Sequence, residues 1–458
     1  MDIYSLDKVL VELGVSYGDS VLVACSGGAD SISLLHTLLN SRLELKCKVA
    51  HVNFHLRDNF SNEDEQFVRE WCLNYGVELF VNSVDTYSYA KEKNLSIEMA
   101  AREIRYNWFS EIIKKESIKH LAVAHHADDN AETLLLNLTR GTGLKGLCAI
   151  PKRNGNIIRP LLGFTRSEIE KYMLYHRLDY RTDHTNLESD YSRNKIRNIV
   201  FPQLKKINPS LIPTLNRNIE YFSMANEIIE QMLPSMHSKI VVDKGNFAVE
   251  RFSINNLLEL QQWQYWLFLL LQKYGFNSAQ SADISAILRE PTNGAKRVES
   301  SSYVVVIERG LINVYPIELT KSLLPINILT EGIYNFGEYK IELELSELSS
   351  ELFSTIISIN DHAESSNSLY LNASNIEFPI KLRAFEKGDK FTPYRMRGKK
   401  KISDLFTDIK LEHIMRNRVP LLVDSAGEIL CVPGVRIADR YKLDKSSSKV
   451  LTVKRTNA

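Results

Sequence analysis

The sequence predicts an α/β protein whose N-terminal domain is built on a parallel sheet, followed by a helical middle domain and a small α+β C-terminal domain. Three observations carry this. Strand-like apolar runs recur at 21–25, 47–52, 79–84 and 121–124, separated by helical periodicity, and such alternation requires parallel strands covered by helices on both faces. After Pro209 and Pro213 the pattern changes to long helical segments, 215–233 and 254–274, without clear strands. Beyond Pro316 to Pro325, short alternating segments return, with strands at 419–423 and 428–432 around an Ala426-Gly427 turn. A chain of 458 residues is too long for one ordinary core, and boundaries at 1–212, 213–318 and 319–458 follow.

The first strand ends in Ser26-Gly27-Gly28-Ala29-Asp30-Ser31, and an amphipathic helix with the stripe Ile32, Leu35, Leu39 follows. Two adjacent glycines let backbone approach an anion without an intervening Cβ, and the helix start supplies unpaired N–H groups and the positive end of its dipole. A purely structural turn has no use for Ser26, Asp30 and Ser31 together. Phe67, Trp71 and Tyr75 form a second helical stripe. On a third helix Glu98, Arg102 and Arg105 share one face, with Ile97, Ala101, Ile104 and Trp108 on the buried one. That row is either a surface ion-pair row or an arginine aimed at a carboxylate or phosphate.

His125 to Thr133 follows the fourth strand and opens a helix on which Asp129 and Glu132 share a face. Acidic residues in a first turn can simply complement the dipole, but beside an anion-binding crevice two carboxylates suit a cationic or amine substrate. Ser26, His51 and His125 fall at or just after strand ends, where ligands of such sheets bind. Thr165-Arg166-Ser167-Glu168 reads as a capping box opening another helix.

Composition limits the functional classes. With 44% apolar and 25% charged residues the chain reads as a soluble globular protein, and no apolar run approaches a membrane span, so no membrane association is expected. Met1-Asp2-Ile3-Tyr4 lacks the basic start and apolar core of a signal peptide. Five cysteines, at 25, 47, 72, 148 and 431, include no CxxC pair and no metal-ligand spacing, so a reduced cytoplasmic protein without disulfides or structural zinc is expected. Net charge is only +1, yet residues 381–418 carry an excess of seven positive charges with Phe391, Tyr394 and Phe406 interleaved. This is a solvated face or a nucleic-acid surface, and Lys399, Lys400 and Lys401 are its densest run.

The loop lacks the Gly-Lys-Ser/Thr ending of a Walker loop and is not GxGxxG; it resembles the SGGxDS loop of the PP-loop ATP pyrophosphatase superfamily. That resemblance implies ATP cleaved between its α- and β-phosphates, with Ser26, Gly27, Gly28, Ala29, Asp30 and Ser31 around the pyrophosphate portion and His51 and His125 beside the nucleotide. It also implies Mg²⁺ positioned by Asp30.

A larger set of motifs is similar to the tRNA(Ile)-lysidine synthetase family. These are the loop itself, Glu98-x-x-x-Arg102-x-x-Arg105-Tyr106, His125 to Thr133, the Arg140 to Leu147 glycine-rich stretch, and Arg159-Pro160-Leu161. Asp183-x-Thr185-Asn186 and Tyr191-x-Arg193-Asn194-x-Ile196-Arg197 complete it. Asn130 stands where the family commonly has Gln, and Cys25 where an aliphatic or aromatic residue is usual.

The resemblance implies ATP-dependent ligation of L-lysine to C2 of the wobble cytidine, position 34, of the isoleucine tRNA with a CAU anticodon. AMP and pyrophosphate leave by way of an adenylated tRNA. Asp30, Arg105, Asp129 and Glu132 would be catalytic, and Asp129 and Glu132 would grip lysine together with Arg102 or Arg105, a choice left open. Arg193, Arg197, Lys399, Lys400 and Lys401 would contact tRNA, although Arg193 and Arg197 also read as ordinary helix-surface arginines. A homodimer is left open. The nearest alternative is a PP-loop tRNA thiolase acting on a cytidine or uridine, against which the scattered cysteines argue.

Overall fold

The computed structural model describes residues 2–56, 58–181, 192–243, 245, 247–290, 294–362 and 367–457. It divides into two compact units, Met1–Met232 and Leu233–Ala458. The motif residues Asp183, Thr185, Asn186 and Tyr191 lie outside the described residues.

In the first unit the elements run α1 (Ile3–Glu12), β1 (Ser20–Ala24), α2 (Ala29–Leu39), β2 (Lys46–Asn53), α3 (Asp58–Asn74), β3 (Leu79–Ser83), α4 (Thr86–Lys93), α5 (Ile97–Lys115) and β4 (His120–Ala122). There follow α6 (Ala127–Arg140), α7 (Leu144–Leu147), the short strands β5 (Arg153–Asn154) and β6 (Ile157–Ile158), and α8 (Arg166–Tyr175). The sheet order is β3-β2-β1-β4-β6-β5, parallel throughout except for the edge strand β5. All four expected strands are present, within two residues of their predicted ends.

Pleating sends alternate residues to opposite faces. Val21 and Val23 join Leu6 and Leu10 of α1, Ile32 and Leu35 of α2 and Val68 of α3, whereas Leu22 and Ala50 join Phe109 and Ile112 of α5. Leu22, Ile32 and Leu35 are fully buried, each contributing roughly 1.5–3 kcal/mol of transfer free energy. On α3 the buried stripe is Val68, Trp71 and Cys72; Tyr75 is 45% exposed and stacks on Trp71 with ring centroids 3.9 Å apart. Strands add on one side of β1 as β2 and β3 and on the other as β4, so β1 and β4 flank the switch point where the carboxyl ends leave a crevice.

Thr165 and Glu168 form the expected capping box on α8. Downstream, α9 (Ser192–Lys195) continues through a wide π turn, Ile196–Val200, into α10 (Phe201–Ile207), and α11 (Leu211–Ile240) follows. Asn130, the departure on α6, is structural: its Nδ2 donates to Asn216 Oδ1 at 2.8 Å and its Oδ1 accepts from Ile150 N at 2.9 Å.

The second unit corrects the expectation of a middle segment without strands. A five-stranded sheet runs Val241–Val242, Glu250–Ser253, Leu311–Pro316, Tyr303–Glu308, Lys296–Glu299 in spatial order. The helices Trp263–Gln272 and Ser278–Arg289 contribute to the core on one side of it. Val304 and Val306 are buried on one face and Val305 and Ile307 on the other, so the run shows no alternation and cannot be told from a buried helix by periodicity. The single helix expected over 254–274 is two, Ile254–Leu258 and Trp263–Gln272, broken by left-handed Gln262 at φ 56°.

The α+β reading of the last third holds. Leu421–Val423 and Ile429–Val432 pair antiparallel about Gly427, at φ 86°, and a second sheet of Gly332–Phe336, Tyr339–Glu347, Lys449–Asn457 and Ser368–Asn372 shares one core with them. Among the described residues no helix is long and apolar enough to cross a membrane.

Candidate active site

The turn between β1 and α2 is shaped by hydroxyls and a glycine. Gly27 adopts φ +85°, a conformation a side chain resists, and its carbonyl accepts from Arg181 N at 2.9 Å. Ser31 Oγ donates to the Gly28 carbonyl at 3.0 Å and accepts from Ser26 N at 3.2 Å, which curls the chain over the helix start. Gly28 occupies the N-cap with no side-chain cap, so the first N–H groups of α2 stay available to an anion.

The two glycines separate stability from function. A Cβ at Gly27 would lie 3.3 Å from Val68 Cγ2 at a positive φ, whereas one at Gly28 would make only ordinary contact with Ser26 Oγ at 3.5 Å. Gly27→Ala is therefore expected to lose about 1–3 kcal/mol in denaturant melts. Gly28→Ala should melt like the parent and instead raise the KM for ATP. Equal melting of all three proteins would contradict this.

Above the loop is a cavity of about 220 Å³ lined by Ser26, Asp30, Ser31, Arg105, Tyr106 and His125, with Phe54 and Phe109 among its apolar walls. Arg105 lies over the Phe54 ring at 5.2 Å, and among the described residues no carboxylate pairs with it. Burial pushes its pKa down, so this cation is held in a poorly solvated wall where an anion would be its natural partner. Arg102 does not line this cavity. It stacks on Tyr106 at 4.9 Å and lines a neighbouring cavity of about 420 Å³ with Arg159.

Burial pushes His125 down to about 4, and Arg159 Nε–H donates to its Nδ1 at 3.1 Å, so the ring is neutral with Nε2 protonated. Arg159 is itself 6% exposed and donates to the Pro151 carbonyl at 2.8 Å. His51 does not line the cavity above the loop. Ala50 and Val52 line the cavity, and strand alternation turns His51 to the opposite face, where its Nδ1–H donates to the Cys25 carbonyl at 2.9 Å. It anchors the strand end below the loop.

Asp30 Oδ1 accepts from Arg166 Nη1 at 2.5 Å, an ion pair the sequence did not reveal because Arg166 was read only as part of the capping box. The other oxygen, Oδ2, lies 3.8 Å from His126 Nε2, which is 3.5 Å from Asp129 Oδ2. His126 thus connects loop and α6, and it caps that helix: its Nδ1 accepts from Asp128 N at 3.2 Å while Asp129 accepts from His126 N at 3.0 Å.

Asp129 and Glu132 do face the same way, as their spacing required, and Arg197 sits on both. Its Nε donates to Glu132 Oε1 at 2.6 Å, its Nη2 to Oε2 at 3.0 Å and to Asp129 Oδ1 at 3.3 Å. Glu132 is 1% exposed, and burial raises its pKa against the opposing pull of Arg197. Arg193 Nη2 donates to Thr133 Oγ1 at 3.0 Å. Both arginines expected among tRNA contacts therefore bond to α6.

In the C-terminal basic stretch the cations divide. Arg383 makes a bidentate pair with Asp389 at 2.8 and 2.9 Å, and Arg418, nearly buried, makes one with Glu338 at 2.6 Å for both bonds. Lys400 pairs with Asp408. Lys399 and Lys401 are exposed, with Lys387, Lys390, Arg395 and Arg397. The interleaved aromatics are not stacking platforms: Phe391 and Phe406 are core residues and Tyr394 packs against that core. Sequence spacing alone could not tell inward from outward rings, because Phe391 ends a two-residue strand, Tyr394 lies in a turn and Phe406 in the helix Ile402–Asp408.

Family models match three parts of the chain: a PP-loop domain at residues 3–204, a TilS substrate binding domain at 248–317 and a TilS substrate C-terminal domain at 380–453. The chain is similar along nearly its whole length to proteins named tRNA(Ile)-lysidine synthase. One from Parabacteroides distasonis is 38% identical over 435 residues, 94% of each chain, and one from Bacteroides thetaiotaomicron is 37% identical over 439 residues, 95% of each. One from Clostridium acetobutylicum is 31% identical over 461 residues, 96% of each.

Proposed function

The chain belongs to the tRNA(Ile)-lysidine synthase family, ligases built on a PP-loop domain, and from that premise we propose that it joins free L-lysine to C2 of the wobble cytidine of the CAU-anticodon isoleucine tRNA. The observation that best supports this reading is a phosphate-directed loop and a carboxylate pair linked through one histidine, His126, 3.8 Å from Asp30 and 3.5 Å from Asp129. One side suits a triphosphate and the other an amine, the two partners such a ligation must bring together.

The cytidine carbonyl oxygen is a poor leaving group. Attack by O2 on the α-phosphate of ATP releases pyrophosphate and turns that oxygen into part of AMP, a good leaving group, which the lysine ε-amine then displaces. The open N–H groups of α2, with Ser26 and Ser31, receive the pyrophosphate portion, and Arg105 offsets negative charge in the buried wall. Asp30 Oδ2, the oxygen not bonded to Arg166, is the donor that fits Mg²⁺, which would screen the phosphate oxygens. His125, neutral and with Nε2–H available, supplies a hydrogen bond and no charge.

Asp129 and Glu132 grip and orient lysine. A lysine ammonium has a pKa of about 10.4, so roughly one molecule in a few thousand is neutral at pH 7. A facing carboxylate favours binding but also favours the protonated form, so proton loss belongs to the closed, drier complex. Sulfur transfer, the alternative, gains little from these thiols: burial pushes Cys47 and Cys72 up to about 12, where they stay protonated. The test is stoichiometry. AMP, pyrophosphate and incorporated lysine should appear in equal amounts, and ADP formation or lysine-independent consumption of ATP to AMP at full rate would refute it.

The domains are proposed as 1–212 for catalysis, with 213–318 and 319–458 holding tRNA; each family-model match falls inside one of them. The possibility of a homodimer and a cytoplasmic location belong to the same proposal. Replacing Lys399, Lys400 and Lys401 together by Ala should weaken tRNA binding and flatten its salt dependence, since each lost phosphate contact releases fewer counterions. Lys400, paired with Asp408, should contribute least. Dissociation constants at several salt concentrations check this, and an unchanged slope would make the run a solvated face.

A further inference from the structure

The carboxylate pair assigned to lysine already holds a cation of the protein's own. Among the described residues Arg197 is the only cation bonded to Glu132, through two hydrogen bonds, with a third to Asp129. A nearly buried carboxylate left alone would take up a proton, because burial disfavours its charged form. A resident guanidinium keeps Glu132 ionised, and an arriving ammonium can replace it with no net change of buried charge.

The segment bearing Arg197 is fixed by contacts that do not involve its guanidinium. Ile196 and Phe201 pack with Ala127, Ala131, Leu211 and Ile212, and Arg193 is tied separately to Thr133. Arg197 lies in the π turn, where Phe201 N–H bonds to the Ile196 carbonyl; such a turn carries one extra residue within a helix. Its side chain is 38% exposed, against 1% for Glu132, so it has a route to solvent and the carboxylate has none.

We propose that Arg197 is a resident competitor for the amine substrate: its guanidinium fills the anionic subsite until a lysine ammonium takes its place, so lysine binds by exchange and Arg197 sets its affinity. This rests on the reading that Asp129 and Glu132 hold lysine. The exchange replaces a bidentate planar cation with a compact one that makes single bonds, and a variant lacking the guanidinium has only a proton on Glu132 to displace.

Equilibrium dialysis of radiolabelled lysine against the full chain, with a non-hydrolysable ATP analogue present, tests it. Arg197→Met should bind lysine at least about tenfold more tightly than the parent, and millimolar guanidinium chloride should compete with lysine in this variant. Arg197→Lys keeps a cation beside Glu132 should the Met variant fold poorly, and its lysine affinity should lie between the two. Unchanged or weaker binding in the folded variants, with binding lost in Glu132→Gln, would overturn the competitor and leave the subsite standing. Glu132→Gln binding lysine as well as the parent would overturn the subsite itself, and the competitor with it.

Discussion

Asp30→Ala is expected to lower pyrophosphate release by about three orders of magnitude while leaving tRNA affinity nearly unchanged. Asp30 lies in the first turn of α2 beside the uncapped N–H groups, so its carboxylate stands where the charge of a triphosphate must be met by a cation. Removing it would take away that cation's protein ligand and also free Nη1 of Arg166, which bonds Oδ1 at 2.5 Å, while Nε of Arg166 stays on Glu170 at 2.9 Å. The two consequences act in opposite directions on ATP: the freed end of the guanidinium can bind phosphate, so ATP affinity should hold while the chemical step collapses. Asp30→Asn, which keeps the shape and loses the charge, should behave like the alanine variant in turnover. Release measured with ATP, lysine and tRNA saturating decides it, and near-normal turnover would remove Asp30 from the catalytic set.

Glu132→Gln is expected to raise the lysine KM by about 10- to 100-fold with little change in the KM for ATP. A hydrogen bond to a charged partner contributes about 1.5–3 kcal/mol, and the substitution replaces the charge without altering volume. Asp129→Asn should act in the same direction and less strongly, because Asp129 also caps α6 through the His126 amide and divides its charge between two partners. With lysine limiting, adenylated tRNA should accumulate in both variants. Weakened ATP binding with an unchanged lysine dependence would instead assign these carboxylates to the metal and phosphates.

Much of the first unit was legible because its signals are local. A strand, a Gly-Gly turn and a helix start are adjacent in sequence, and four apolar runs at helical separations leave little choice but a parallel sheet. Asp129 and Glu132 were placed on one face by helical spacing alone. What escaped was long-range pairing: Arg166 with Asp30 spans 136 residues, and Arg197 with Glu132 spans 65. Arg159 stood inside a quoted motif, yet its bond to His125 depends on two strands being neighbours in the sheet. His51 lies off the cavity lining because strand alternation, and not only its place near a strand end, decides which face it takes. The strands of the middle sheet were hidden for the converse reason, burial on both faces erasing the alternation that marks a strand.

The most direct test of the ligation is to incubate the full chain with ATP, radiolabelled L-lysine and isoleucine tRNA bearing the CAU anticodon, then digest the RNA and locate the label. Label is expected in the wobble nucleoside, dependent on ATP and absent from a tRNA whose wobble cytidine is replaced by uridine. ATP consumed with no lysine in the RNA, or label at any other nucleotide, would contradict the assignment.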